Sequence, residues 1–179
     1  MRGWAEGLGD LTASQLVLRG LVLLGPVVAV LATGPAGSWA PWWVLLPILA
    51  LAVGFAALPE SSVGIATYLA VLAWWTLALE DGLDPMVLVA VVALVVSHVA
   101  AVLASYGPGE MPVHGPLVRR WAVRGALVLL VVPPTWLLGR GLRDDTAQHG
   151  IWVTGVAVAL AATLAAAVAL AGSDREAQP

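Results

Sequence analysis

Long apolar runs, separated by short polar or turn-forming segments, account for most of the chain: residues 14–33, 39–58, 61–80, 85–106, 117–138 and 150–172. Each is roughly 20 residues long, enough for a helix to cross the ~30 Å hydrocarbon layer at about 1.5 Å per residue. Charged residues gather between the runs, whereas a soluble domain scatters charge along every surface helix. The pattern predicts an all-α fold, a polytopic transmembrane helical bundle of about six spans, or five if the fifth run falls short. A short N-terminal segment, 1–13, precedes the helical domain, 14–172, and a polar tail, 173–179, follows it.

Several boundaries have a local cause. Asp84-Pro85 pairs a capping carboxylate with a proline at the first helical position, where the missing N–H costs nothing. Ser38 and Ser61-Ser62 are expected to cap the second and third helices. Gly107-Pro108-Gly109 stops the fourth, and Gly172 stops the sixth. Proline lies inside the first, second and fifth runs, as Pro26, Pro47 and Pro133-Pro134. The double proline removes two amide donors and disfavours helical geometry at Val132, so a kink or break is expected there.

Charge supplies an orientation. All eight basic residues are arginine. With the N-terminus inside, Arg2, Arg19, Arg119, Arg120, Arg124 and Arg175 fall on the cytoplasmic side, and Arg140 and Arg143 fall outside; the opposite orientation reverses that count. The expectation is a bacterial plasma-membrane protein with both termini cytoplasmic. Met1–Asp10 has one arginine and no apolar core, so no cleaved signal peptide is expected. Arg120 and Arg124 share a helical face and, with Arg119, form a collar suited to anionic lipid headgroups or an acidic partner protein.

Composition narrows the chemistry. Sixty per cent of residues are hydrophobic, 11% are charged, and the net charge is −3. No basic tract points to nucleic acid. Without cysteine there is no disulfide, thiolate metal site or cysteine nucleophile. No P-loop, H-E-x-x-H or G-x-S-x-G motif is present, so no enzymatic activity, cofactor or metal is implied.

In the expected topology Trp39, Trp42, Trp43, Trp74, Trp75, Trp136 and Trp152 gather toward the outer side, and Trp4 and Trp121 toward the inner. An aromatic belt at headgroup level explains this; an outward-facing pocket for an apolar or ring-bearing ligand is the functional alternative, with Trp43 and Trp74 lining it. His98, preceded by Ser97, reads either as a buried neutral imidazole bonded to a neighbouring helix or as a proton-handling or ligand-contacting group. In the sixth run Gly155, Ala159, Thr163, Ala167 and Ala171 recur every four residues, a spacing that lets helix backbones approach closely.

Glu60-Ser61-Ser62, Ser97-His98-Val99-Ala100-Ala101, Ser105-Tyr106-Gly107-Pro108 and Leu117-Val118-Arg119-Arg120-Trp121 resemble segments of small actinobacterial-type multi-pass membrane proteins, some associated with loci encoding a MoxR-type AAA+ ATPase. That resemblance implies no catalytic residues. In architecture alone the chain is also similar to the substrate-binding subunits of energy-coupling-factor transporters, with Gly25-x-x-x-Ala29 a partial counterpart of their small-residue contact motif. The expected function is a non-enzymatic membrane subunit or accessory protein that contacts lipids and other membrane proteins, or further copies of itself. The alternative is a small-solute transporter component with Trp43, Trp74 and His98 at its ligand.

Overall fold

The computed structural model describes residues 12–79, 83–106 and 114–141. The sixth run, with Gly155, Ala159, Thr163 and Ala167, lies outside the described residues, as do Trp4, Trp152 and the polar tail. The described part is all-α, with five helices: α1 Ala13–Leu31, α2 Trp42–Ala57, α3 Val63–Ala78, α4 Met86–Ser105 and α5 Gly115–Gly141. The chain divides into two compact units, Met1–Leu137 and Leu138–Pro179. The first holds α1–α4 and nearly all of α5; of the second, only residues 138–141 are described.

Three helices, α1, α4 and α5, are long and apolar enough to cross a membrane. Helices α2 and α3 are as apolar but have 16 residues each, about 24 Å of rise against a ~30 Å hydrocarbon layer. These lengths and compositions are those of a membrane protein.

Helix starts follow local chemistry, not always as expected. Asp84 Oδ1 accepts from the Met86 amide at 2.8 Å, so the Asp84-Pro85 signal opens α4 as anticipated. Ser38 does not open α2. Pro41 does, its carbonyl accepting from Val44 and Leu45, because the residue before a proline is held out of helical geometry. Ser62 precedes α3 without a side-chain cap, and Ser61 instead donates to the Leu58 carbonyl at 2.7 Å. The chain leaves α1 through a turn at Gly37, whose φ of 107° suits glycine.

Helix α1 is central. It packs against α2, α3 and α4, and Val22, Gly25, Pro26, Ala29 and Val30 are buried along it. The seam with α4 is made of small residues, with Ala90, Ser97, Ala100, Ala101 and Ala104 buried on the facing side. A Cβ at Gly25 would clash with Ser97 Cβ and come within 2.6 Å of the Ala93 carbonyl oxygen. Close backbone approach of this kind substitutes for the hydrophobic drive that lipid removes. Two apolar clusters fill the interior. One joins Leu18, Val22, Phe55 and the alanines of late α4; the other joins Ala29, Val30, Ile48, Val71, Trp75 and Ala90.

Helix α5 differs. It runs unbroken through Pro133-Pro134, against the expected interruption, and buries only Gly125 among 27 residues. Thr135 donates to the Val131 carbonyl at 2.8 Å within this stretch.

Candidate functional site

Pro26 has no N–H, so the Val22 carbonyl, four residues earlier, loses the donor that an α-helix would supply. Ser97 replaces it: its hydroxyl donates to the Val22 carbonyl at 3.0 Å. Tyr68 on α3 in turn donates to Ser97 Oγ at 3.3 Å. Ser97 and Pro26 are both fully buried. One hydrogen-bonded chain thus ties α3 to α4 to α1 within the apolar interior, and Gly25 lets α4 come close enough to complete it. Serine and threonine hydroxyls commonly repair proline-freed carbonyls inside membranes.

His98 stands beside this chain but outside the interior. It is exposed on α4, and its ring centroid lies 6.3 Å from that of Tyr68 with the planes tilted by 58°. The reading of a buried imidazole bonded to a neighbouring helix does not hold, because the adjacent Ser97, about 100° round the helix, takes the inward position. Phe55 meets Tyr68 from the other side, edge to face at 5.5 Å.

The described tryptophans segregate. Trp39, Trp42, Trp43, Trp74 and Trp75 lie where α1 and α3 end and α2 begins. Trp136 belongs to the same end, donating to the Leu83 carbonyl just before α4 at 3.0 Å. Trp121 lies at the other end, its ring 6.1 Å from Tyr106.

Within the tryptophan end the side chains do two different things. Trp39 and Trp42 are more than 70% exposed, as belt residues are. Trp75 is buried and donates from Nε1 to the Ala29 carbonyl at 2.9 Å. That carbonyl is available because the Thr33 amide, which would reach it in a continuing α-helix, bonds to Val30 instead. Trp74 Nε1 donates to Thr33 Oγ1 at 3.2 Å, and Thr33 Oγ1 donates to the Val30 carbonyl at 2.7 Å. Trp75 therefore satisfies the one carbonyl that the closing turn of α1 leaves open, and Trp74 reaches the same helix end through the Thr33 hydroxyl.

Of the residues expected at a ligand, Trp43 and Trp74 come together, edge to face with centroids 6.4 Å apart. His98 does not join them. Its neighbour Tyr68 is six positions from Trp74 on α3, about 9 Å along the helix axis.

At the opposite end Arg19 makes a contact that its position in the sequence did not suggest. Its Nη1 donates to the carbonyls of Ala56 and Ala57 at 3.1 and 2.8 Å, closing the C-terminus of α2 with a cation. Such a charge also opposes the negative pole of the helix dipole. Arg124 stacks over the Trp121 ring at 5.2 Å, while Arg119 and Arg120 are exposed on α5. Gln15, likewise absent from the sequence-based candidates, is buried near this end.

The Ser97 contact had a usable signal. A proline inside a span leaves a carbonyl four residues earlier needing a donor, and Ser97 is a hydroxyl in the middle of an otherwise apolar helix. The Arg19 contact had none, because it depends on where α2 ends in space. No protein-family model matches the chain, and comparisons with curated proteins and with solved structures return no match.

Proposed function

We propose that the chain is a non-enzymatic, membrane-embedded subunit or accessory protein that works through contacts with other membrane proteins, crossing the membrane about six times with both termini cytoplasmic. Helix α5 carries the reading. It is about 40 Å long, it buries only Gly125 of its 27 residues, and both of its prolines are exposed. Pro133 and Pro134 deprive the Leu129 and Leu130 carbonyls of their helical donors, and Thr135 donates to Val131 rather than to either. An unpaired carbonyl in hydrocarbon costs several kcal/mol, so a donor from a neighbouring protein at this face would be favourable.

The transporter reading has less support. Gly25 and Ala29, the counterpart of a transporter contact motif, face the interior, Gly25 against Ala93 and Ser97 and Ala29 beneath Trp75. The Trp74 and Trp75 indole N–H groups are spent on Thr33 and Ala29.

A photo-crosslinking amino acid at Leu130, 72% exposed, tests the subunit reading in native membranes. The expected product is a discrete protein adduct of fixed mass, absent when the group is placed at buried Val71. Adducts to lipid alone would remove α5 as a partner surface and the reading with it.

A further inference from the structure

Gln15 and Arg19 lie one turn apart on α1 and therefore share a face. Both carry polar atoms without partners among the described residues. Arg19 Nη1 is committed to the Ala56 and Ala57 carbonyls. A guanidinium is planar and rigid, so this anchoring also fixes its other edge, the parallel Nε–H and Nη2–H pair that grips oxyanions two-handed. Arg19 Nε is buried and has no hydrogen-bond partner among the described residues; the same holds for Gln15 Nε2 and Oε1. Gln15 is 1% exposed. Glu60, three residues beyond Ala57, is exposed, and among the described residues no ion pair joins it to Arg19.

The place of these groups in the bundle narrows their partner. Helices α1 and α4 run antiparallel, with Val22 opposite Ser97 and Gly25 opposite Ala93. Continued toward the start of α1, that register sets Gln15 level with the last turn of α4. Helix α2 ends at Ala57, where Arg19 holds it. Two helix ends and a cation thus coincide at the depth where a spanning bundle meets headgroups. A half-buried cation with its Nε unpaired and a buried amide without partners among the described residues both cost free energy. One group relieves both: an oxyanion that accepts from Arg19 Nε–H, Nη2–H and Gln15 Nε2–H, and that carries a hydroxyl or ammonium to donate to Gln15 Oε1. Headgroups with a hydroxyl beside the phosphate, such as phosphatidylglycerol, and protonated inorganic phosphate have this combination; phosphatidylcholine, whose quaternary ammonium has no N–H, does not.

We infer that Gln15 and the Nε edge of Arg19 form a phosphate-binding site, supplied either by a phospholipid headgroup or by free phosphate. This site is independent of any partner on α5.

The test measures thermal unfolding of the full chain in phosphatidylcholine nanodiscs, with or without phosphatidylglycerol, and separately with sodium phosphate against sodium chloride at matched ionic strength. The wild-type protein is stabilised by at least one of the two additions. A rise with phosphatidylglycerol alone identifies the lipid as the source, and a rise with sodium phosphate identifies the free ion. Gln15→Leu and Arg19→Lys each weaken that response about tenfold, the loss expected for a hydrogen bond to a charged group. Arg19→Lys keeps the charge, removes the two-handed edge and also disturbs the cap on Ala56 and Ala57, so the decisive variant is Gln15→Leu. Gln15→Leu leaves the α2 cap untouched and, in phosphatidylcholine alone, unfolds no earlier than wild type, because it removes an unpaired buried amide. No stabilisation by either addition overturns the site, and so does an undiminished response in Gln15→Leu.

Discussion

Helices α1 and α5 both have the length and apolar character of a membrane span, and both carry proline well inside. Their surroundings make the same residue do opposite things. In α1 Pro26 is buried, and the carbonyl it frees at Val22 is taken by Ser97 from α4. The defect becomes an attachment point, directional where the surrounding contacts are only apolar. In α5 Pro133 and Pro134 are exposed, and the nearest hydroxyl, Thr135, donates to Val131 and not to the carbonyls they free. A proline in a span is therefore a vacancy for a hydrogen bond, and what fills it decides whether the helix is a core element or an outward surface.

The comparison is most vulnerable at Gly25, because Ser97 reaches Val22 only while the two backbones stay close. Gly25→Leu would drive a side chain into Ser97 Cβ and the Ala93 carbonyl, separate α1 from α4 and break the hydrogen bond as well. A loss of about 3 kcal/mol is expected, at the upper end for overpacking. It would be measured as a lowered denaturation midpoint in detergent. A midpoint unchanged from wild type would mean that the α1/α4 seam is not the anchor described above.

Removing the hydroxyl alone should cost less. Ser97→Ala leaves the Val22 carbonyl buried and unpaired and deprives Tyr68 of its acceptor, for about 2 kcal/mol. The diagnostic version is a double-mutant cycle. Pro26→Ala restores an amide that can bond to Val22 within α1, so Ser97→Ala should become cheaper by about 1 kcal/mol in that background. Additive losses would show that Ser97 stabilises the bundle by packing and not by replacing the proline amide.

At the tryptophan end the same logic applies to a helix terminus. Trp75→Phe keeps one aromatic ring, deletes the donor to the Ala29 carbonyl and removes buried indole volume, for an expected loss of about 2 kcal/mol. Trp42→Phe, at a residue 73% exposed, should leave unfolding unchanged. Equal effects at the two positions would remove the division between belt and capping tryptophans.

These contrasts also show what could be read in advance. Runs of apolar residues long enough to span depend on composition and length alone, and five of the six predicted runs appear as helices with ends shifted by a few residues. The Asp84-Pro85 start was legible because its chemistry is local. The tryptophan segregation was legible because it follows from helix direction. Which tryptophan would be exposed and which would donate inward was not, since it depends on how each helix is turned against its neighbours: Trp39 and Trp42 are exposed, while Trp74 and Trp75 both donate toward the end of α1. Arg19 was legible only as a charge on the cytoplasmic side, and its bond to the end of α2 depends on a neighbour 37 residues away. The break expected at Pro133-Pro134 came from treating lost amides as decisive; the helix carries on because the residues around them keep their own bonds.

The smallest expected effect is the one that most sharpens the contrast between α1 and α5. Pro133→Ala with Pro134→Ala restores two amides to an exposed helix, raises helical propensity and disturbs no buried contact, since Gly125 is the only buried residue of α5. The isolated chain should unfold within about 0.5 kcal/mol of wild type, the range of surface substitutions. If the freed Leu129 and Leu130 carbonyls accept donors from a partner, the same pair of changes should weaken crosslinking through Leu130 in native membranes. Pro26→Ala would do the reverse, altering unfolding while leaving the α5 adduct intact. A strong destabilisation of the isolated chain by the α5 pair would place that helix among the internal supports of the bundle, and the distinction between a proline that fastens and a proline that faces outward would fail.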